Sequence, residues 1–326
     1  MNLGNKMPVW QMMSAPMLAV VQKSLELSAE ETDAGTDLSV MREAYNRERR
    51  YWNQGGPEMA QTHDELVVTP DGPVPIRVFV PQTQAGAAAL VFIHGGGFIL
   101  GNLDTHGRIM RQLAHDTGAT VIGVDYSLSP EAKFPTALHQ CAAVTRYVQE
   151  GHFGVNGNLV GLAGDSGGAM LSLATALYLR DQGSIPGLVA LVLYYGLFGL
   201  GDSLSRRLLG GEFDGMTEDD LAYYMNAYLA SPDDLTSPYV DCLNADMAGL
   251  SPMFIASAEL DPLRDDSAAL AAILMIHGVP HRHVMYEGVL HSFLHYSRQL
   301  DAARQALLDG AVFFRDAVSQ ATSNKQ

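Results

Sequence analysis

The chain has 326 residues, 47% of them hydrophobic and 17% charged, a balance that suits a globular fold with a large core and excludes disorder. Thirty-six acidic against 20 basic residues give a formal net charge of −16, and no Lys/Arg run offsets it, so no nucleic-acid partner is expected and the acidic excess reads as solubility. Two cysteines, Cys141 and Cys242, stand in no C-x-x-C spacing, which argues against a disulfide framework and a thiolate zinc site.

In chain order, residues 1–50 read as helical with no strand. Their opening MNLGNKMPVWQMMSAPMLAVV is broken by Asn, Lys, Pro, Gln and Ser. It lacks the layout of a signal peptide, and no apolar run reaches the length of a membrane span, so a cytoplasmic location is expected. Ala88–His94 (AALVFIH) predicts a buried strand, residues 104–117 a helix, and Thr120–Tyr126 (TVIGVDY) the next strand. A helix over 135–150, a short strand at Leu159–Ala163 and a strong helix at Ser166–Gln182 follow. Leu188–Tyr195, Met253–Ala258 and His283–Tyr286 supply later strands, and a last helix buries Ala303, Leu307, Ala311, Phe314 and Val318. The tail SQATSNKQ reads as disordered.

Short apolar strands alternating with helices imply an α/β fold with a mostly parallel sheet covered on both faces. Two stretches break the alternation: residues 1–50, and residues 199–245, which are punctuated by Gly and Asp around a Tyr/Met-rich helical run at 218–229. Residues 51–198 and 246–326 are therefore assigned to the core. The two outlying stretches are expected to form a helical cap over the C-terminal edge of the sheet.

Within the core, GLAGDSGGAM (161–170) fits two signatures. Read as GDSGG it matches the nucleophile segment of chymotrypsin-like proteases. Read as G-x-S-x-G, Gly164 to Gly168, it is the nucleophile elbow of an α/β-hydrolase, a strand-to-helix turn that exposes the serine hydroxyl above the sheet. The strand before Ser166 and the helix after it favour the elbow, since a double β-barrel would need many strands and few helices. His94-Gly-Gly-Gly97, directly after the first strong strand, lets backbone amides face a ligand without Cβ obstruction. Acyl transfer needs such donors where negative charge develops. Two of the amides of Gly95, Gly96 and Gly97 are expected to join that of Gly167 in an oxyanion hole, with His94 bracing the loop. A phosphate loop is the competing reading, but G-x-x-x-x-G-K-[ST] is absent.

A serine needs a base, and the base an orienting carboxylate, in the order Ser, acid, His on this fold. Of His277, His281, His283, His291 and His295, His291 sits just after the last strand, at the sheet edge where ligands bind. His281 and His283 read as surface residues. His291 and His295 have the i, i+4 spacing of a metal pair, but no Glu lies between them as in H-E-x-x-H, and no metal is expected. Glu259, Asp261, Asp265 and Asp266 compete as the acid. Asp261 is preferred because it lies just past a strand with Pro262 fixing the turn, whereas Asp265 and Asp266 could cap the helix beginning near Ser267.

The ordered set HGGGFILG, DYSLSPEAKFP, GDSGG, DPLRDD and YEGVLHSF resembles the hormone-sensitive-lipase-like esterases over nearly the whole chain, and HGGGFILGNLDTH and SRRLLGG look close to the bacterial acetyl esterases of that group. The resemblance implies an α/β-hydrolase core, a helical cap and a cofactor-free serine triad acting on a small-molecule ester with a short acyl group. It matches Ser166 to the nucleophile, Asp261 to the acid of the DPL motif, His291 to the base, and His94, Gly95 and Gly96 to the oxyanion loop. Two departures stand out: Gly167 where the group usually has Ala, and DYSLSPE where it commonly reads DYRLAPE. Neither removes a catalytic group. The protease match is then coincidence, because those enzymes place His and Asp before Ser. Bulky Tyr223, Tyr224, Met225 and Tyr228 could shorten an acyl pocket or form the core of the cap. The same triad also serves thioesters and amides, and a non-catalytic, protein-binding role is a separate reading. A dehalogenase or epoxide hydrolase would want a carboxylate where Ser166 stands. Nothing in the sequence specifies a homo-oligomer or a regulatory protein partner.

Overall fold

A computed structural model describes residues 6–28, 37–183, 188–211 and 215–323. Parts of both outlying stretches, and the last three residues of the tail, lie outside the described residues. The elements run α1 (Val9–Met12), α2 (Ala15–Ser28), α3 (Leu38–Trp52), β1 (Met59–Thr69), β2 (Gly72–Pro81), β3 (Ala89–Ile93), α4 (Gly107–Thr117), β4 (Thr120–Val124), α5 (Thr136–Gln149), β5 (Val160–Asp165) and α6 (Gly167–Asp181). They continue β6 (Leu188–Tyr194), α7 (Leu204–Leu209), α8 (Glu218–Tyr228), β7 (Met253–Ala258), α9 (Arg264–Ile276), β8 (His281–Tyr286) and α10 (Asp301–Ser323).

One eight-stranded sheet has the order β1-β2-β4-β3-β5-β6-β7-β8. The hairpin β1–β2 and the β2–β4 pair are antiparallel, and every later pairing is parallel. Alternation along β3 splits the core in two. Ala89, Val91 and Ile93 pack with residues of α5, α6 and α9 on one face, while Leu90 and Phe92 pack with residues of α4 and α10 on the other. Helix α6 is buried nearly all round, so its amphipathicity is weak and its length and position define it.

The hairpin β1–β2 is absent from the sequence reading. Pro73 and Pro75 lie in β2 outside its pairing with β4, which spans Ile76–Phe79, and β1 is exposed over most of its length. Proline and an outward, polar strand hide such an edge element from a search for apolar runs. The tail reading is also corrected: α10 continues through Ser323, so SQATS is helical. Among the described residues no helix is long and apolar enough to cross a membrane.

Candidate active site

Strand β5 delivers Ser166 into a turn that α6 completes. Ser166 has φ 53° and ψ −123°, a left-handed conformation uncommon outside glycine, and its N–H is held by Tyr194 O at 2.9 Å. The glycines around it are sterically required. A Cβ on Gly164 would meet Gly168 O at 2.3 Å, and one on Gly168 would meet Ile93 O at 2.1 Å. At Gly167 a Cβ would lie 3.1 Å from the Phe98 ring, a tight fit rather than a clash.

The loops after β7 and β8 bring the other two side chains to this turn. His291 Nε2 lies 2.9 Å from Ser166 Oγ, and His291 Nδ1 lies 2.7 Å from Asp261 Oδ2. Asp261 is fully buried, and its second oxygen accepts the Leu263 N–H at 2.7 Å. With the Nδ1 proton donated to the carboxylate, Nε2 is free to accept from the serine hydroxyl. Tyr195 packs edge-on to the imidazole, with ring centroids 4.9 Å apart.

Each competing acid has a different partner. Glu259 accepts the Gly288 N–H at 2.7 Å, and Asp265 accepts the Ser205 N–H at 2.8 Å. One oxygen of the fully buried Asp266 accepts from Phe198, Gly199 and Leu200 N–H at 3.0 to 3.2 Å, while the other lies 3.2 Å from the Arg206 guanidinium. Burial pushes the Asp266 carboxyl upward against those donors. Neither Asp265 nor Asp266 caps α9, which begins at Arg264 without a side-chain cap. The capping expectation is replaced by a tie between the start of α9 and the root of the segment that leaves the sheet after β6.

His94, Gly95, Gly96 and Gly97 lie beside Ser166, but they are not equivalent. The Gly95 N–H donates to Asp165 Oδ1 at 2.9 Å, whereas Gly96, Gly97 and Gly167 line the cavity that contains Ser166 and His291. Gly96 and Gly97 have φ of 117° and 58°, and a Cβ on Gly96 would meet Leu100 O at 2.4 Å. His94 is buried behind the loop, where Nδ1 donates to Gly95 O at 2.9 Å and the ring stacks on Tyr126. Burial pushes its pKa down to about 3, so the imidazole stays neutral.

Asp165, His106 and His295 escaped the sequence reading as a group. Their ligand-type atoms lie within 4.8 Å of one another, all buried. His106 Nε2 approaches Asp165 Oδ1 to 3.3 Å, and His295 Nε2 approaches Oδ2 to 3.9 Å. Burial works to raise the Asp165 carboxyl, but His106, the Gly95 N–H and His94 together hold it below the ordinary carboxylate range. Burial, with Arg49 nearby, keeps His295 far below the usual imidazole value. His295 sits in this buried cluster with Asp165 and His106. Only the Asp preceding Ser166 in the motif hinted at this cluster, since its histidines lie far off in sequence. His283, exposed on β8, bonds Ser257 at 2.9 Å, in keeping with a surface position.

The cavity over Ser166 has a volume of about 370 Å³. Met17, Val21, Tyr45 and Arg49 wall it from the N-terminal helices, and Met216, Leu221 and Tyr224 from the segment after β6. Of Tyr223, Tyr224, Met225 and Tyr228, only Tyr224 lines it. Tyr228 is buried and stacked on Phe98 at 4.0 Å, Tyr223 is exposed, and Met225 faces a second cavity of about 580 Å³.

A profile of the alpha/beta hydrolase fold matches residues 90–295. Acetyl esterases of Salmonella paratyphi B and Salmonella schwarzengrund are each 48% identical to this chain over 314 residues, 95% of it and 96% of their own length. Among solved structures, a hyperthermophilic esterase from the archaeon Pyrobaculum calidifontis aligns with a TM-score of 0.88 at 30% identity, over 94% of this chain and 99% of its own. An ester hydrolase from the metagenome of Lake Arreo, complexed with a bipyridine phosphonate derivative, aligns at 0.87 and 26% identity, over 94% of this chain and all of its own. The chain belongs to the α/β-hydrolase fold family, in its hormone-sensitive-lipase-like group of serine carboxylesterases.

Proposed function

We propose that this esterase prefers short acyl groups, acetyl first, and that Ser166, His291 and Asp261 carry the reaction. The observation that carries the reading is the continuous chain Ser166–His291–Asp261, with contacts of 2.9 and 2.7 Å. His291 Nε2 takes the Ser166 proton as Oγ attacks the ester carbonyl. The oxyanion is held by the N–H groups of Gly96, Gly97 and Gly167. His291 then returns the proton to the departing alkoxide oxygen, and the acyl-enzyme remains. The same base deprotonates water, which attacks the acyl carbon, and Ser166 leaves with that proton as the carboxylic acid is released. His94 stays neutral and braces the loop from behind.

The N-terminal helices and residues 199–245 together act as a cap, a reading supported by their sharing the walls of one cavity. A short-acyl preference is supported by Tyr224 beside Gly97 and by the acetyl esterases to which the chain is similar. Both cysteines are buried, free thiols, which suits a reducing compartment, and we place the enzyme in the cytoplasm.

Ser166→Ala is expected to lower kcat on p-nitrophenyl acetate by about 10⁴-fold or more without loss of fold, and to abolish labelling by a fluorophosphonate. Across acetyl, butyryl and decanoyl p-nitrophenyl esters, kcat/KM should fall with chain length. A decanoyl optimum would refute the acyl preference, and an active Ser166→Ala variant would refute the mechanism.

A further inference from the structure

The loop proposed as the oxyanion hole is held in an unfavourable backbone conformation by a residue from outside the core. Gly96, Gly97 and Phe98 follow one another at φ of 117°, 58° and 67°. Two of them are glycines, but Phe98 lacks that freedom, so its geometry persists only where neighbours impose it. Inside the loop, the Ile99 and Leu100 N–H groups both donate to Gly96 O. Outside it, the Phe98 ring stacks on Tyr228, and Phe98 O accepts the Ser129 N–H at 2.9 Å.

The next carbonyl, that of Ile99, is held by Arg42 of α3. Arg42 Nε donates to Ile99 O at 2.8 Å, and Nη2 donates to Ser129 O at 3.0 Å. The outer edge of the same guanidinium forks onto Glu131 at 2.7 and 2.8 Å. One planar group therefore ties the far side of the glycine loop to the segment that holds Phe98. Glu131 is 62% exposed, so that ion pair contributes little by itself and serves chiefly to aim the fork. The two backbone carbonyls carry the brace, because charged donors make the stronger hydrogen bonds and a rigid fork fixes their spacing.

We propose that Arg42 is a positioning residue for the oxyanion hole: through the Ile99 and Ser129 carbonyls it fixes the orientation of the Gly96 and Gly97 amides toward the reacting carbonyl. The proposal rests on reading this loop as the oxyanion hole. It also makes the N-terminal segment part of the catalytic geometry and not only a wall of the cavity.

The test measures kcat and KM on p-nitrophenyl acetate, and the Ki of a methyl trifluoromethyl ketone, on the full chain. Ser166 Oγ adds to the ketone carbon, its proton passes to His291, and the ketone oxygen becomes an oxyanion in the same hole, so Ki reports the hole directly. Arg42→Ala is expected to lower kcat by about tenfold or more while KM stays within about twofold, and Ki should rise by a similar factor. Arg42→Lys, which keeps the charge but not the fork, should fall between. Glu131→Gln leaves both backbone bonds in place and should stay within about twofold of the parent. A folded Arg42→Ala variant with unchanged kcat, or with a kcat loss that Ki does not follow, overturns the proposal. If Arg42→Ala does not fold, an unchanged Ki in Arg42→Lys does the same. Ser166→Ala in the same assay separates the two readings: if it is inactive while Arg42→Ala is fully active, only the brace fails, and if it stays active the whole site reading fails.

Discussion

Asp261 has two donors to satisfy, the His291 Nδ1–H and the Leu263 N–H, and both require an acceptor. A carboxylate offers two oxygens, whereas an amide offers one and would turn its NH₂ toward one of the donors. Asp261→Asn is therefore expected to flip the imidazole tautomer and lower kcat by about 10⁴-fold with little change in KM or circular dichroism. A loss smaller than about tenfold would remove Asp261 from the mechanism. At this scale Ser166 and His291 could be named as candidates because each follows a strand, and their side chains lie 2.9 Å apart. The choice among the four acids drew on position after the strand, on the turn at Pro262 and on the resemblance of the DPL motif. What separates them in space is the partner of each: Gly288 for Glu259, His291 for Asp261, Ser205 for Asp265, and the turn at Phe198–Leu200 for Asp266. No spacing rule in a single chain reveals such long-range partners.

Among the elements, α9 and the segment after β6 are fastened together by Asp266. Three backbone N–H groups and the Arg206 guanidinium depend on that one buried carboxylate. Asp266→Ala would leave them without an acceptor, and a loss of about 3 kcal/mol in urea-unfolding stability is expected. A change below about 1 kcal/mol would mean that water or a shifted Arg206 replaces the tie. The parallel strands and their helices were readable from apolar runs, usually to within one or two residues at each end. The hairpin β1–β2 was not, because its pairing lies at the sheet edge and its pattern is broken by proline and exposed polar residues.

Across the whole molecule, the acid response follows from how histidines are buried. His94 has its pKa held down to about 3 in the folded chain, against about 6.5 when unfolded. Between those values the unfolded chain binds a proton that the folded chain refuses. His94 therefore erodes stability as pH falls from 6.5 toward 3, by about 1.4 kcal/mol per pH unit, and has no effect above that window. His295 acts in the same direction. Asp125 opposes it: burial raises its carboxyl to about 6, so the folded chain holds a proton that the unfolded chain loses above pH 4. Comparing His94→Gln with the parent isolates the histidine. Urea midpoints between pH 6.5 and 4.5 should fall less steeply in the variant, and equal slopes would show that His94 titrates freely.

By itself the sequence determined the fold class and the chemistry of the reacting groups. Both are written locally, in apolar runs that form buried strands and in glycines that only a tight elbow and an open amide loop require. Tertiary structure decided which groups cooperate. The Gly95 amide is consumed by Asp165, leaving its neighbours to face the cavity, and Arg42 reaches the loop from a helix more than fifty residues upstream. Hydrogen-bond partnership depends on distances of a few ångströms between segments far apart along the chain. Packing fixes those distances, and residue type and spacing alone do not.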